Sequence, residues 1–344
     1  MTTKTLVIYG ERIKQARELN GLTQSELAEQ VGCNQSAIAH FENNRTFPSN
    51  DILKTIADIT GVLPNFFERE PMHDFSLGSL SYRSRRSLSK KEEAKAYQYA
   101  STMYEQAKHL SKKLSLPLLH FPRISERPTL SARVARASLG LAPDKPISHL
   151  LNTFEYNGGL AFATPFPLLK IDAFSLWANL DIDRPIIIVS CNIPGDRMRF
   201  SVAHEIGHLV MHTAPKGTMI AMEKEANSFA AEFLMPEDAI RNELVTPVTL
   251  TSIAQLKPKW GVSMQALIYR AHNLEIITDR QYRYLFEQLS ARGWRTREPS
   301  NLDIPIETPQ AFSKMVQSVY ESTEAYAESM GLTDSVARDL ILYN

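Results

Sequence analysis

The sequence of 344 residues has few cysteines, no long apolar run and no net charge, and each absence excludes a class of protein. Cys33 and Cys191 are the only cysteines, which excludes a disulfide-rich secreted domain and indicates a reducing compartment. The longest strongly apolar run, at 185–189, is far shorter than the roughly 20 residues that span a bilayer. The first ten residues lack the apolar core of a signal peptide. We therefore expect a cytoplasmic protein without membrane contact.

The charges balance overall but are unevenly distributed along the chain. Residues 1–70 hold 7 basic and 9 acidic residues, whereas residues 71–130 hold 11 basic and 5 acidic ones. The second region contains the basic cluster of Arg83, Arg85 and Arg86. A nucleic-acid contact by the first region would therefore depend on a local basic face.

The length predicts two or three domains, and the pattern of apolar residues predicts a mainly α, α+β protein. Short helices are expected in the N-terminal region, strands at 159–164 and 185–190 in the centre, and two amphipathic helices after residue 308. A long helix is expected at 89–114, with Ser89 as its N-cap. The predicted domains are 1–70, 71–130 (a basic linker and the long helix), 131–300 and a helical tail at 301–344.

Residues 204–208 read His-Glu-Ile-Gly-His, which is the pattern of a catalytic zinc site. Histidines four residues apart lie one turn above each other on a helix, so His204 and His208 can both reach one ion. Glu205 lies about 100° around the helix from His204, where it can take a proton from the attacking water. The motif follows a predicted strand and lies in an apolar helix predicted at 199–212. This context favours a metal site over two surface histidines.

A catalytic zinc site usually has a third protein ligand, and the sequence leaves its identity open. The longer metzincin motif would place glycine and histidine where Met211 and Ala214 stand, so that interpretation fails. A third histidine on one straight helix cannot reach the same ion. His212 is therefore expected to cap or pack the helix end, or to lie beside a ligand.

Acidic residues on the next predicted helix, at 223–235, are the remaining candidates for the third ligand. These candidates are Glu223, Glu225 and Glu232. Glu223 shares a helical stripe with Asn227 and Ala230, whereas Glu225 and Glu232 share a face that looks solvated. The spacing therefore favours Glu223.

Two segments, 199–208 and 223–236, resemble the ImmA/IrrE family of metallopeptidases, and the stretches at 171–175 and 184–188 add to the resemblance. The similarity covers roughly residues 130–300 and implies a zincin-like peptidase domain. It assigns the third ligand to Glu223, the first glutamate of the Glu-x-x-Ala-Asn pattern. It also implies Zn²⁺ as the cofactor, with Mn²⁺ as the alternative, and a repressor or related regulatory protein as the substrate. Such cleavage often answers a stress or foreign-DNA signal.

Two further features near the motif have more than one interpretation. Arg199, His212 and Tyr269 could stabilise the oxyanion by residue type alone, and Arg199 could equally be a structural ion-pair partner. Cys191 follows a predicted strand; its thiolate could occupy the open coordination position of the metal, but a small buried strand residue is the favoured interpretation.

The N-terminal region resembles the phage-repressor-like helix-turn-helix family known as XRE, over residues 10–67. The residues that carry the resemblance are Thr23, Gln24, Leu27, Ala28, Gly32, Ile38, Glu42 and Pro48. It implies that Thr23 caps the second helix, that Gly32 adopts a positive φ, and that 35–42 is the recognition helix. It also implies a buried ion pair between Arg17 and Glu42. Asn43 and Asn44 stand where the family often has glycine.

The recognition helix supplies the expected contacts to an operator. Gln35, Ser36 and His40 would face the major groove, and Gln24 at a helix N-terminus would contact a phosphate. The net acidic balance leaves a protein-binding helical bundle as the alternative. For a second helix-turn-helix-like pattern at 250–274, the family resemblance implies a part of the peptidase domain or a substrate-docking module, and not a second DNA-binding unit.

Two functions remain as hypotheses. In the first, a metal-dependent endopeptidase is brought by its DNA-binding domain, as a monomer or a homodimer, to an operator or a repressor that it hydrolyses. In the second, a non-proteolytic transcription regulator or antitoxin uses the peptidase fold as a sensor. Glu205 favours the first, because a sensor would not need it. A purely structural metal is disfavoured, since three protein ligands leave a coordination position open.

Overall fold

A computed structural model describes residues 7–72, 89–124, 126–168, 171–212 and 217–344. The described chain is mainly helical and contains one small three-stranded sheet, which confirms the predicted mainly α, α+β class. The basic cluster of Arg83, Arg85 and Arg86 lies outside the described residues. Among the described residues, no helix has the length and apolar character needed to cross a membrane.

Four short helices form the N-terminal region. They are α1 (Gly10–Leu19), α2 (Gln24–Val31), α3 (Gln35–Glu42) and α4 (Asn50–Thr60). Thr23 accepts a hydrogen bond from the backbone of Glu26, and the Glu26 side chain returns one to the backbone of Thr23. Gly32 ends α2 in the left-handed conformation, with φ of 77°. The cap at Thr23 and the positive φ of Gly32 were both predicted; the first fixes the start of α2 and the second the turn between α2 and α3.

The loop after α3 uses asparagine where glycine was expected. Asn44 has a φ of 56°, a conformation that asparagine tolerates better than most residues. Its side chain accepts a hydrogen bond from the backbone N–H of Gly10 at 2.7 Å and donates one to Glu11 at 3.0 Å. Gly10 lies so close to α3 that a Cβ atom would meet the Phe41 carbonyl oxygen at 2.1 Å. The loop is therefore held by side-chain hydrogen bonds to the start of α1.

A long helix, α5 (Lys90–Ser111), lies against α1. Ser89 is its N-cap, as predicted, and forms a capping box with Glu92. Arg12 on α1 donates to both carboxylate oxygens of Glu105 on α5, each at 2.6 Å, and Gln15 donates to Thr102 at 2.9 Å. These contacts are buried or partly buried, so the long helix is packed against the N-terminal helices.

The central region combines the sheet with seven helices of the described chain. The helices are α6 (Pro128–Ser138), α7 (Leu150–Tyr156), α8 (Gly195–Met211), α9 (Met219–Leu234), α10 (Glu237–Ile240), α11 (Leu250–Trp260) and α12 (Met264–Asn273). The strands are β1 (Leu160–Ala163), β2 (Ala173–Asn179) and β3 (Asp183–Val189). The sheet order is β1-β3-β2, with β1 parallel and β2 antiparallel to β3.

The two faces of the sheet belong to different hydrophobic cores. Small and branched residues such as Ala173 and Ile187 join the core that contains α8 and α9. The alternate residues, such as Phe162 and Phe174, join a core shared with α1 to α5. This alternation is the period of two expected of a strand. The sheet thus lies between the metal-motif helix on one side and the N-terminal helices with α5 on the other.

The C-terminal region contains one more helix than predicted. After α13 (Asp279–Ala291) come α14 (Ala311–Val319), α15 (Thr323–Met330) and α16 (Asp334–Tyr343). The prediction of two helices after residue 308 was wrong because Ser322 and Gly331 each set a helix boundary, as N-cap and left-handed C-cap of α15. The backbone N–H of Leu63 donates to the carbonyl oxygen of Gly331 at 2.8 Å. The tail thus packs on the N-terminal helices, and the predicted domain boundaries stay a prediction.

Candidate metal centre and helix-turn-helix surface

The metal motif lies where α8 and α9 pack closely. A Cβ atom on Gly207 would lie 3.0 Å from the ring of Phe229, so glycine lets the two helices approach. His204 and His208 occupy the side of α8 that faces Glu223 on α9. The predicted helix at 199–212 begins earlier, at Gly195, and the helix predicted at 223–235 begins at Met219. The motif and its partner therefore lie inside regular helices and not at their ends.

Three predicted side chains converge at this place. The Nε2 atoms of His204 and His208 are 3.0 Å apart. Glu223 places one carboxylate oxygen 3.4 Å from His204 Nε2 and the other 3.2 Å from His208 Nε2. Ligand atoms of all three residues lie within 4.8 Å of one another, and the histidines are nearly buried while Glu223 is about one third exposed.

The partner of His204 Nδ1 determines which ring nitrogen faces the candidate metal centre. His204 Nδ1 lies 2.9 Å from Oδ1 of Asn227, one turn beyond Glu223 on α9. An amide oxygen only accepts, so Nδ1 carries the proton and Nε2 presents its lone pair to the centre. The sequence places Asn227 on the stripe of Glu223 and in the Glu-x-x-Ala-Asn pattern, but it does not indicate this contact with His204.

The other ring nitrogen of His208 contacts His212. His208 Nδ1 lies 2.9 Å from His212 Nδ1, and His212 Nε2 lies 2.9 Å from Oε2 of Glu225. His212 therefore lies beside a candidate ligand, which was one of its expected positions. Glu225 is directed to His212 and is not part of the group formed by His204, His208 and Glu223.

Glu232 differs from its predicted environment. The interpretation of its face as solvated was wrong, because Glu232 is completely buried. It pairs with Arg270 on α12 and with Arg133 on α6, the latter at 2.9 Å. It also accepts hydrogen bonds from the backbone N–H of Glu237. Glu232 thus links three helices, and a spacing argument on one helix could not reveal those partners.

Glu205 lies on the side of α8 that faces the edge strand β2. Its side chain is completely buried, and Oε2 accepts a hydrogen bond of 2.7 Å from the hydroxyl of Ser175. The sequence assigned Ser175 no role beyond its place in the stretch at 171–175, which resembles the ImmA/IrrE family. The strand that carries Ser175, β2, was not predicted. The hydroxyl restrains the orientation of the carboxylate beside the histidine pair.

The remaining sequence candidates have different environments. Arg199 is buried and donates to the carbonyl oxygen of Gly261 at 3.0 Å, and it pairs with Glu307, which matches the structural alternative. Tyr269 is half exposed and lines a cavity. Cys191 lies in a turn after β3 and is half-buried, so its favoured interpretation as a buried strand residue was wrong; it is also not part of the three-residue group. Burial raises the pKa of its thiol.

A cavity of about 1130 Å³ is lined by residues of α8, α9 and α12, although His204, His208 and Glu223 are not among its lining residues. Its walls include Phe200, one turn before His204, and Asn227, one turn after Glu223. Tyr269 on α12 also lines it. The α12 helix, part of the second helix-turn-helix-like pattern, therefore lines a cavity beside the metal motif.

Two of the predicted DNA contacts, Gln24 on α2 and Gln35 on α3, are joined by a hydrogen bond. Gln35 donates a hydrogen bond of 2.6 Å to Gln24, which donates one of 2.7 Å to Glu42. Glu42 also forms the predicted buried ion pair with Arg17, with Nη2 and Oε2 at 3.0 Å. Gln24 is thus bonded to a buried carboxylate and orients Gln35.

Two other predicted contacts lie on the same recognition helix. Ser36 is exposed and His40 is half-buried. The helix begins with Asn34, whose side chain accepts a hydrogen bond from the backbone of Ala37 at 2.8 Å. Its exposed N-terminal residues are Gln35 and Ser36, the part of a recognition helix that reads base edges in such domains.

The described residues thus combine an N-terminal set of short helices of the helix-turn-helix type with a domain that carries a His-His-Glu group. Residues 10–67 match a family described as helix-turn-helix domain. Residues 154–272 match the family described as IrrE N-terminal-like domain, the ImmA/IrrE type, so the predicted architecture is confirmed. A comparison with the curated proteins gives no match to this chain.

Proposed function

We propose that this chain is a metal-dependent endopeptidase fused to a DNA-binding domain, and that it hydrolyses a regulatory protein of the repressor class to control transcription. The observation that carries the proposal is the convergence of His204, His208 and Glu223 within 4.8 Å. Glu205, next to one of these histidines on α8, supplies the carboxylate that such chemistry needs.

The chemistry of the three side chains fits a divalent metal ion. Two imidazole nitrogens and one carboxylate are the ligands of many catalytic zinc sites, and Zn²⁺ is the proposed ion with Mn²⁺ as the alternative. Asn227 leaves His204 Nε2 with its lone pair directed at His208 Nε2, 3.0 Å away. Each Nε2 atom also lies within 3.4 Å of a carboxylate oxygen of Glu223, so the three side chains form a compact set of ligand atoms for one cation. His204, His208 and Glu223 would therefore hold the ion.

In the proposed peptide hydrolysis, the metal ion and the side chains would have separate roles. The bound ion would supply Lewis-acid polarisation of the scissile carbonyl. Glu205 takes the proton of the attacking water at its carboxylate and passes it to the leaving amine. Ser175 holds that carboxylate by a hydrogen bond of 2.7 Å, and burial of Glu205 excludes bulk water from the proton transfer.

The cavity beside the metal group is the proposed binding place for the substrate chain. It extends from Phe200 and Asn227, next to the ligands, to Tyr269 on α12. A volume of about 1130 Å³ accommodates several residues of an extended peptide but no folded domain. The proposed substrate therefore presents a flexible segment to the site.

Removal of the metal is expected to abolish cleavage. Purified regulators encoded near this chain would be incubated with it, and the products would be identified by mass spectrometry. A chelator should lower cleavage by at least about 10²-fold, because the Lewis acid and the acidified water are lost together. Added Zn²⁺ or Mn²⁺ should restore it. Cleavage that persists after complete metal removal would contradict the proposal, and metal binding without any cleavage would favour the sensor alternative.

Operator DNA is the proposed partner of the N-terminal domain. Gln35, Ser36 and His40 would read base edges, and Gln24 would contact a phosphate while it orients Gln35. Repressor-type domains bind two half-sites as dimers, so a homodimer is part of the proposal. Arg17 and Glu42 pair with each other and are excluded from the proposed contacts.

Replacing Gln35 with alanine is expected to weaken binding to the preferred operator. The operator would be selected from random DNA duplexes, and affinity would be measured by fluorescence anisotropy at fixed salt. Loss of one base contact costs about 1–3 kcal/mol, or about 5- to 150-fold in affinity. Gln30→Ala is the matched control, because Gln30 is an exposed glutamine on α2 that is not among the proposed DNA contacts. Equal affinity of Gln35→Ala and wild type would remove Gln35 from the interface.

A further inference from the structure

His208 belongs to a row of three side chains that ends at an exposed carboxylate. His208 and His212 lie one turn apart on α8, and Glu225 comes from α9. The two contacts, His208 Nδ1 to His212 Nδ1 and His212 Nε2 to Glu225 Oε2, are both 2.9 Å. The His212 side chain is only 6% exposed, whereas that of Glu225 is half exposed. The row thus runs from the candidate metal group to the surface.

The carboxylate determines the direction of both hydrogen bonds. An ionised carboxylate only accepts, so His212 Nε2 carries a proton and donates it to Glu225. In neutral His212 the Nδ1 atom is then an acceptor, and His208 Nδ1 must donate to it. This assignment leaves His208 Nε2 unprotonated on the side where it meets His204 and Glu223.

The two histidines of the motif therefore have unequal partners. His204 donates to the neutral amide of Asn227, whereas His208 donates to an imidazole that is itself bonded to a carboxylate. A carboxylate behind an imidazole makes its other nitrogen a stronger electron donor. Through His212, the negative charge of Glu225 acts on one ligand only.

We infer that Glu225 and His212 form a positioning pair for His208, which holds the ring with Nε2 free and strengthens its bond to a divalent transition-metal ion. The inference rests on the metal group of the proposed function but not on peptide hydrolysis. The pair also joins the end of α8 to α9. A purely structural connection between the helices is the rival role, and the two roles predict different measurements.

The test measures the dissociation constant of Zn²⁺ by competition with a fluorescent chelator, and the absorption spectrum of the Co²⁺-loaded full chain. Loss of such a partner typically weakens metal binding about 10- to 100-fold, and this loss is expected for His212→Ala. Glu225→Gln retains a hydrogen-bond acceptor without charge and should have a smaller effect in the same direction. His212→Asn, which can still accept from His208, should recover part of the affinity. The Co²⁺ bands should shift in the same order.

Glu237→Gln is the matched control, because Glu237 is a partly exposed acid that pairs with Arg241 on the short helix after α9. It should bind Zn²⁺ like the wild type. Thermal unfolding of the metal-free variants separates the two roles. A lower midpoint with an unchanged Zn²⁺ dissociation constant and Co²⁺ spectrum would overturn the inference. Weaker metal binding in the predicted order, in a chain that cleaves no protein, would support the inference and contradict the proposed function.

Discussion

Replacing Glu205 with glutamine is expected to lower kcat/KM for a cleaved regulator by about 10²–10⁴-fold while metal binding is retained. Glutamine has the size of glutamate and can still accept the hydrogen bond from Ser175, but it cannot take a proton from water. The effect should therefore appear in kcat rather than in KM. Initial rates on a regulator cleaved by the wild-type chain measure both parameters.

The matched control for this experiment is Glu287→Gln, which changes an exposed glutamate on α13. It should leave kcat/KM at the wild-type value. If Glu205→Gln kept wild-type kcat with bound metal, Glu205 would not be the general base. If it lost the metal together with activity, the carboxylate would instead be needed to hold the ion.

Replacing Glu232 with alanine is expected to lower the free energy of unfolding by about 3–5 kcal/mol. Glu232 is completely buried, and its partner Arg270 has a side chain that is 6% exposed. Removing the carboxylate leaves the guanidinium of Arg270 buried without its counter-ion, and it also removes the contact with Arg133. Denaturant unfolding followed by circular dichroism provides the measurement.

Glu237→Ala is the control for the loss of stability, because it breaks a more exposed ion pair with Arg241. Such pairs contribute about 0.3–0.5 kcal/mol. A loss for Glu232→Ala as small as that of the control would contradict the buried network. The folded fraction of Glu232→Ala should still bind metal, since Glu232 is not part of the ligand group.

Local patterns were sufficient to predict several elements of this protein. The resemblance to helix-turn-helix domains predicted the N-cap Thr23, the left-handed Gly32 and the ion pair between Arg17 and Glu42. The N-cap Ser89 follows from a short motif with fixed spacing. The convergence of His204 and His208 likewise follows from the helical repeat. The last two features require no knowledge of the rest of the fold.

The failure to predict strand β2 from the sequence has a physical explanation. Residues of β2 are almost all buried, because one face packs on the metal-motif helix and the other on the second core. A strand buried on both faces does not alternate between apolar and polar residues. The sequence therefore lacked a clear alternation of apolar and polar residues at β2, and with it the signal that Ser175 lies beside Glu205.

The different environments of Glu225 and Glu232 could not be predicted for another reason. Glu225 and Glu232 are seven residues apart on one helix, yet one contacts His212 near the surface and the other is buried between two arginines. Seven residues nearly complete two helical turns, so spacing alone assigns both to one face. Their environments differ because Arg133 of α6 and Arg270 of α12 enclose Glu232, whereas Glu225 remains half exposed beside His212.

The most direct test of the account is the metal content of the purified, folded chain. Elemental analysis of the wild type dialysed against Zn²⁺ should give about one tightly bound ion per chain. The double variant His204→Ala, His208→Ala should retain less than about a tenth of that amount, because a single carboxylate cannot hold the ion. A wild-type chain that takes up no metal, or a double variant that binds as much as the wild type, would contradict the central claim.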